Sequence, residues 1–275
     1  MNRTLFRLVI GGLCVLALSG CAVKTADSRE NTSGADQWVL PTGAVDYQLG
    51  GSYEPADDVQ ILVRDRTSEP DPDRYSICYV NGFQTQPEEL DQWPEQALLH
   101  TQDKLVFDAG WPDEALLDTR TPESRSLILE RVTPWITGCA DSGFDAVEFD
   151  NLDTYTRSAG ALTREGNLEL AKQFVAVAHN NELAAGQKNA AEDAQNLKAK
   201  AGFDFAVAEE CAAYEECSEY SEVYGSQLID IEYTDQLPRT FDQMCAHRST
   251  PESTVLRDRD LATPDDLSYI RQSCP

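Results

Sequence analysis

The sequence is poor in positive charge and in histidine. It contains 22 Lys and Arg residues against 48 Asp and Glu residues, which gives a formal net charge of −26. Because nucleic-acid binding requires clustered Lys and Arg side chains, this balance excludes a nucleic-acid partner. Only three histidines and no Cys-x-x-Cys pair are present, so we expect neither a metal site nor another cofactor.

Several catalytic motifs are also missing. The sequence has no Gly-x-Ser-x-Gly elbow, no His-Glu-x-x-His motif and no Gly-rich phosphate loop. Serine hydrolases of the elbow type and zinc proteases of the His-Glu type are therefore excluded, and an open nucleotide-binding sheet is disfavoured. After the N-terminal segment, no apolar run could cross a bilayer and no low-complexity linker divides the chain, so we expect one folded, monomeric body.

The N-terminus has the pattern of a bacterial export signal. Arg3 and Arg7 precede an apolar run at 8–18, which is too short to span a bilayer. The run ends in Leu18-Ser19-Gly20-Cys21, which resembles a lipobox; an ordinary secretory signal with a chance cysteine is the alternative. We therefore predict an exported lipoprotein, anchored at Cys21 to the cell-envelope membrane. The predicted divisions are a signal peptide at 1–20, a lipidated flexible tether at 21–36 and a folded domain at 37–275.

The cysteine content fits an exported protein. Cys14 leaves with the signal peptide and Cys21 takes the lipid, so an even number remains for disulfides in an oxidising compartment. The pattern alone leaves their pairing open. The six are Cys78, Cys139, Cys211, Cys217, Cys245 and Cys274.

The body of the chain alternates short β-rich runs with helical patterns, which indicates βα units around a parallel sheet. About eight strand candidates in about 240 residues fit a single (β/α)₈ TIM-type barrel of the α/β class. An open doubly wound sheet is the structural alternative. The strand candidates are 44–48, 59–64, 75–80, 146–150, 183–187, 203–208, 228–233 and 253–257, and a short run at 104–107 is either a strand or part of a loop.

Helices are predicted between these strands. Thr121 is a suitable N-cap with Pro122 at the first helical position, and Thr163 is a suitable N-cap for the next helix. In that second helix, apolar residues recur on one face, which predicts packing against the core. A third helix is predicted over 190–200.

Several predicted strands end in a carboxylate. In a barrel the C-terminal ends of the strands surround one mouth, so these groups would converge there. Two facing carboxylates are the usual equipment of glycoside hydrolysis, one as nucleophile or base and the other as acid. The alternative is that these acidic residues cap helices or solvate loops. The candidates are Asp65, Asp150, Glu209 and Glu232.

Asp150 is the strongest single candidate. Glu148 lies two residues earlier, so both side chains would point to the same side of the strand. If that side is the barrel interior, the two carboxylates share a poorly hydrated space and require a cation nearby. Lys188, at the end of the next predicted strand, is the expected partner.

Longer segments carry a recognisable signature. They are Gly143-Phe144-Asp145-Ala146-Val147-Glu148-Phe149-Asp150-Asn151-Leu152-Asp153 and Ala206-Val207-Ala208-Glu209-Glu210-Cys211, the latter followed by Tyr214-Glu215-Glu216-Cys217. Shorter matches are Val45-Asp46-Tyr47-Gln48-Leu49, Ile77-Cys78-Tyr79, Trp111-Pro112-Asp113-Glu114, Gln187-Lys188-Asn189 and Ile231-Glu232-Tyr233. In order and content these motifs resemble glycoside hydrolase family 114, which is typified by endo-α-1,4-polygalactosaminidases.

The resemblance implies a (β/α)₈ barrel that acts on galactosamine-containing polysaccharide. It implies that Asp150 is the nucleophile or stabiliser and that Glu209, rather than Glu210, is the acid/base. Where the family commonly has Pro, Asn and Gln, this chain has Phe149, Ala208 and Glu210, which leaves the exact glycan open. The residues expected to bind substrate are Tyr47, Asp65, Tyr79, Trp111, Glu148, Asn151, Lys188, Glu232 and Tyr233.

The charge and the resemblance together favour a cationic substrate. Galactosamine carries an amine that is protonated at neutral pH, and an acidic cleft would attract it, although acidity also serves solubility. We therefore predict a glycoside hydrolase that cleaves α-linked galactosamine-containing polysaccharide. The alternatives are a non-catalytic lipoprotein that binds a cationic glycan and an α-galactosidase-like hydrolase of neutral sugars.

Glu209 is expected to have a higher pKa than Asp150, because Phe205 and Val207 dry its surroundings and Glu210 adds negative charge. The predicted disulfides are Cys211–Cys217, in a short loop after Glu209, together with Cys78–Cys139 and Cys245–Cys274.

Overall fold

The computed structural model describes residues 38–275; the predicted signal peptide, Cys21 and the tether at 21–36 lie outside the described residues. Nine strands form one sheet in the order β1-β2-β3-β6-β7-β8-β9-β10-β11, and each neighbouring pair up to β10 is parallel. This is the predicted barrel, nearly closed. Its strands are β1 (Ala44–Gln48), β2 (Val59–Asp65), β3 (Tyr75–Asn81), β6 (Ala146–Asp150), β7 (Ala184–Lys188), β8 (Phe205–Glu209), β9 (Leu228–Tyr233), β10 (Ser253–Arg257) and β11 (Arg271–Ser273).

The eight predicted strands are all present, four with the predicted bounds and four with ends shifted by one or two residues. The structural ends matter for function, because Asp65, Lys188 and Glu209 are each the last residue of a strand. The run at 104–107 contributes a two-residue strand, β5 (Lys104–Leu105), which forms a small hairpin with β4 (His100–Thr101).

The helices pack on the outside of the barrel. Thr121 and Thr163 are the N-caps of the two long helices, since each side chain accepts a backbone N–H three residues later. The predicted helix over 190–200 is instead a 3₁₀ turn, a single α turn and a π turn. It begins one residue late, because Asn189 and Ala190 both have positive φ. The α-helices are α1 (Pro122–Ser142), α2 (Thr154–Arg157), α3 (Arg164–Asn180), α4 (Ala194–Asn196), α5 (Cys217–Tyr224) and α6 (Phe241–Cys245).

Side chains close the seam between β10 and β1. The short strand β11 runs antiparallel to β10 on the edge that faces β1. The buried guanidinium of Arg257, on β10, lies 3.4 Å from Asp46 on β1. Arg271, on β11, donates to the backbone oxygen of Val45 on β1 at 3.2 Å. The barrel is therefore completed by arginine contacts.

Three disulfides fasten the outer layer, and they are the predicted pairs. Cys78–Cys139 joins β3 to α1, and Cys245–Cys274 joins α6 to the C-terminal tail. Cys211–Cys217 closes the loop that follows β8. This last bridge stiffens the chain two residues after Glu209.

Candidate active site

A cleft of about 650 Å³ opens at the carboxyl ends of the barrel strands. Seven carboxylates and two guanidinium groups line it, so its charge is strongly negative. These are Asp65, Asp108, Glu114, Asp150, Asp153, Glu209 and Asp260, with Arg157 and Arg259. Asp150 and Glu209, the two residues predicted to be catalytic, both reach this cleft.

Lys188 lies beneath the cleft and gathers three carboxylates. Its Nζ lies 3.5 Å from Glu148, 3.4 Å from Asp150 and 3.3 Å from Glu209. Burial opposes its positive charge, but the carboxylates outweigh burial and hold the pKa of Lys188 well above its ordinary value. The predicted cation is therefore present and remains charged.

Gly186 makes room for this arrangement. It lies on β7 two residues before Lys188 and so faces the same, inner side of the barrel. A Cβ atom at Gly186 would come within 2.3 Å of the Phe205 ring on β8. The absence of a side chain lets Phe205 pack directly below the charged cluster.

Asp150 is fixed by three donors at the end of β6. It accepts hydrogen bonds from the Tyr79 hydroxyl at 2.9 Å, from the backbone N–H of Asn151 at 2.6 Å and from Lys188 at 3.4 Å. Asn151 has a φ of 65°, and its own side chain is held by Asn81 and Arg157. The expected support of Asp150 by Lys188 and by the amide of Asn151 is confirmed.

Glu209, the last residue of β8, is held by Asn189 and Tyr233. Asn189 donates to it at 2.8 Å and also accepts its backbone N–H, while the Tyr233 hydroxyl donates to the second carboxylate oxygen. Burial raises the pKa of Glu209, but the Lys188 ammonium and these hydrogen bonds outweigh burial and lower its pKa below the ordinary value. The burial that was expected to raise the pKa of Glu209 is therefore outweighed by its polar partners.

Glu210 does not add uncompensated negative charge beside Glu209. Glu210 lies 2.9 Å from the guanidinium of Arg259, which also pairs with Asp235. The same guanidinium lies 4.0 Å from the centre of the Tyr233 ring and covers that face. Tyr233 therefore orients Glu209. Because its side chain is buried and does not line the cleft, the expectation that it binds substrate is corrected.

Tyr47 and Glu148 lie under the floor of the cleft, not on its surface. Both are fully buried, and the Tyr47 hydroxyl donates to Glu148 at 2.7 Å. The prediction that they bind substrate is corrected, and so is the same prediction for Lys188, which is only 2 % exposed and does not line the cleft. Lys188 donates to the Tyr47 hydroxyl at 3.1 Å, so all three act on the cleft from beneath.

Glu232 serves the outer side of the barrel. Its fully buried carboxylate accepts the backbone N–H groups of Ala212 and Ala213. The neighbouring Asp230 accepts the N–H of Cys211 in the same way. The expected sugar contact of Glu232 is therefore corrected, because this side chain holds the disulfide loop that follows Glu209.

Trp111, Asp65 and Tyr79 remain as cleft residues. Trp111 is 63 % exposed at the rim, where its indole can meet a sugar face. Asp65 also lines the cleft and accepts hydrogen bonds from Thr67 and Gln86. All three are placed where substrate can contact them.

Sequence reasoning missed four cleft residues of consequence. Asn189 follows the last residue of β7, a position that the barrel argument could have flagged in the same way as the strand-end carboxylates. Glu114 and Asp108 come from the long loop between β3 and α1, and Arg157 comes from α2. Residues in such a loop carry no periodic pattern, so their convergence is visible only in the fold.

One of these four residues, Glu114, also has a shifted pKa. Burial raises the pKa of Glu114 to about 7.

One group of metal-type side chains occurs within residues 38–275. It comprises Cys211, Cys217 and Asp230, and its two cysteines are joined in a disulfide. Across the same described part of the chain, no helix combines the length and apolar character needed to cross a bilayer.

Comparisons with known proteins agree with this geometry. The chain resembles Ega3 of Aspergillus fumigatus, solved in complex with galactosamine, with a TM-score of 0.68 and 20 % identity over 88 % of this chain and 99 % of that one. It also resembles the glycoside hydrolase domain of PelA from Pseudomonas aeruginosa, with a TM-score of 0.58 and 14 % identity over 84 % and 98 % of the two chains. A search of curated protein sequences found no significant match.

These two likenesses establish the barrel fold, and a sequence profile establishes the family. The profile described as Glycoside-hydrolase family GH114 matches residues 28–275. The match includes every strand of the barrel and every residue of the cleft described above. The chain therefore belongs to glycoside-hydrolase family GH114, a family of enzymes that cleave glycosidic bonds.

Proposed function

We propose that this glycoside hydrolase cleaves α-linked, galactosamine-containing polysaccharide. The observation that carries the proposal is the charge of the cleft, where seven carboxylates face two arginines. Both arginines already have carboxylate partners, Arg157 with Asp108 and Arg259 with Glu210. The remaining negative charge suits a polymer with protonated amines. The structure of Ega3, which has the same fold, contains galactosamine.

Asp150 and Glu209 are proposed as the reacting pair. Glu209 protonates the glycosidic oxygen of the leaving group, and Asp150 faces the anomeric carbon. One oxygen of each lies 3.4 or 3.3 Å from the same Lys188 Nζ, so these two oxygens are no more than about 6.7 Å apart. The limit applies to the two oxygens that face Lys188, and it lies at the lower edge of the spacing of about 6.5–9.5 Å at which a water fits between two carboxyls. It favours direct attack by Asp150 and retention of configuration.

Glu209 must carry a proton when it acts. Burial raises its pKa, but the Lys188 ammonium and its hydrogen bonds outweigh burial and lower it. A bound sugar displaces water from the cleft and removes solvation from the carboxylate, which raises the pKa toward the value that an acid requires. Protonation of Glu209 is therefore coupled to substrate binding.

Three polymers separate this function from its alternatives. Partly deacetylated galactosaminogalactan, the fully acetylated polymer and a neutral α-galactan are incubated with the protein, and chain shortening is followed by mass spectrometry. We expect shortening of the deacetylated polymer alone. Cleavage of the neutral galactan would favour an α-galactosidase-like hydrolase, and binding of the deacetylated polymer without cleavage would favour a glycan-binding lipoprotein. Either result would refute the proposal.

We further propose that the protein is an exported, monomeric lipoprotein held at Cys21. The first described residues support an anchor that holds the cleft away from the membrane. Trp38 stacks on His179 near the end of α3, and Leu40 bonds to Gln227 just before β9, so the chain enters at the face opposite the cleft. An anchor upstream leaves the cleft directed away from the membrane. Mass spectrometry of the N-terminal peptide tests this, and an unmodified Cys21 would refute it.

A further inference from the structure

Glu148 is a buried carboxylate for which the proposed reaction has no direct use. It lies on β6 two residues before Asp150 and is fully buried. One oxygen accepts the Tyr47 hydroxyl and lies 3.5 Å from Lys188. The other oxygen has no hydrogen-bond partner among the described residues. Burial of an unpaired oxygen costs far more for an ionised carboxylate than for a protonated one, because the charge loses its solvation.

The groups around Glu148 cannot balance another negative charge. Five side chains face it from the strands packed around it: Tyr47 on β1, Tyr79 on β3, Asp150 on β6, Lys188 on β7 and Glu209 on β8. Lys188 is the one cation among them, and it already lies between Asp150 and Glu209. With all three carboxylates ionised, this small buried space would carry a net charge of about two negative units.

We infer that Glu148 is a positioning residue that carries a proton in the working site and thereby leaves the Lys188 ammonium to hold Asp150 and Glu209. This inference rests on the proposed function of that pair. When Glu148 is neutral, Lys188 is drawn upward by the two cleft carboxylates. When Glu148 is ionised, it competes for the same ammonium from below, and the two cleft carboxylates lose the support that the reaction requires.

This role gives the reaction an alkaline limit. Burial raises the pKa of Glu148 to about 7, against the opposing effects of Lys188 and the Tyr47 hydrogen bond. Below that pH Glu148 is neutral and the site is assembled, and above it the proton is lost. The wild-type kcat should therefore fall about tenfold for each pH unit well above the pKa.

The variant E148Q tests this with kinetics. Its amide keeps the shape of the side chain and cannot ionise, so its activity should lack this alkaline fall. We expect the ratio of kcat in E148Q to kcat in wild type to rise about tenfold from about pH 6 to about pH 8 on partly deacetylated galactosaminogalactan. The amines of the substrate titrate equally in both reactions and cancel in the ratio.

E130Q, at an exposed site on α1, is the matched control and should give a constant ratio. A constant ratio for E148Q would overturn the inference.

Infrared spectroscopy tests the proton without any substrate. The wild-type spectrum minus the E148Q spectrum should show the carbonyl band of one protonated carboxyl at about pH 6, and this band should vanish at about pH 9. Asp230 and Glu114 occur in both proteins and cancel. A missing band would overturn the inference, whereas a wild type that shows the band and cleaves no polymer would refute the proposed function alone.

If E148Q does not fold, the variant Y47F tests the same inference. Y47F removes the hydroxyl that stabilises the ionised form of Glu148, so the pKa of Glu148 should rise further. The Y47F spectrum minus the wild-type spectrum at about pH 8, which needs no E148Q protein, should then show the band of the protonated carboxyl, so this band persists to higher pH than in wild type. A band that disappears at the wild-type pH or below it would contradict the assignment to Glu148.

Discussion

At the scale of single residues, the charge of Lys188 organises the site. Glu148, Asp150 and Glu209 approach it from two strands, and no other cation contacts these three carboxylates within residues 38–275. Loss of one partner from a buried ion cluster leaves uncompensated charge in a medium that solvates it poorly. The same residue lowers the pKa of Glu209, so it affects both stability and protonation.

Replacement of Lys188 by methionine should therefore destabilise the protein in a pH-dependent way. We expect K188M to lose about 3–5 kcal/mol of unfolding free energy at neutral pH and less at about pH 5, where the carboxylates can take up protons. Activity should be lost at both pH values. Urea denaturation at the two pH values measures the effect, with K172M, an exposed lysine on α3, as the control. An equal loss at both pH values would contradict the ion-cluster account.

The sequence predicted Asp150, Lys188 and Glu209 because each stands at the end of a β-rich run, where barrel topology brings side chains together. It misjudged the role of Tyr47, Glu148, Glu232 and Tyr233. Period-two alternation tells which side of a strand a residue faces, but it does not tell how deep the residue lies. Depth depends on the stagger between strands, which no local pattern records.

At the scale of elements, the eight parallel strands and the two capped helices were predictable, because hydrophobic periodicity and N-cap residues are local signals. The closing strand β11 was not, since its three residues, Arg271–Ser273, are polar and its pairing depends on the distant β10. The long loop from β3 to α1 was not predictable either. It supplies one wall of the cleft, including Asp108, Trp111 and Glu114.

The position of Trp111 on this loop predicts a binding effect. W111A should raise KM about three- to tenfold and leave kcat within about twofold, because stacking of an aromatic ring is worth about 0.5–1.5 kcal/mol. Y214A is a matched control, since Tyr214 is 62 % exposed against 63 % for Trp111 and does not line the cleft. Steady-state kinetics on the deacetylated polymer measure both variants. Equal effects of W111A and Y214A would remove Trp111 from the substrate path.

At the scale of the whole molecule, burial of carboxylates in this acidic chain reduces stability when they are ionised, because burial disfavours the charged form. The chain carries a net charge of −26, and several carboxylates are buried with raised pKa values. For such groups the folded pKa lies above the unfolded one, so their stabilising contribution is complete below the unfolded pKa and is lost as the pH rises through the folded pKa. Stability should therefore be higher on the acidic side of neutrality.

Glu148 gives this expectation a magnitude. Its pKa rises from 4.5 to about 7 on folding. The linked loss of unfolding free energy is about 2–3 kcal/mol between about pH 5 and about pH 8. Urea denaturation of wild type and E148Q across this range measures it. The wild type should lose stability as the pH rises, and E148Q should show a smaller slope by that amount. Parallel slopes would place the pH dependence elsewhere.

The catalytic pair is tested most directly by the release of reducing ends from partly deacetylated galactosaminogalactan by wild type, D150N, E209Q and the control E130Q. Each cleft amide keeps the shape of its side chain and removes its charge or its proton. We expect wild type and E130Q to cleave at equal rates, and D150N and E209Q each to be slower by about a hundredfold or more, with folding unchanged by circular dichroism. Near-wild-type cleavage by either D150N or E209Q would contradict the assignment of Asp150 and Glu209.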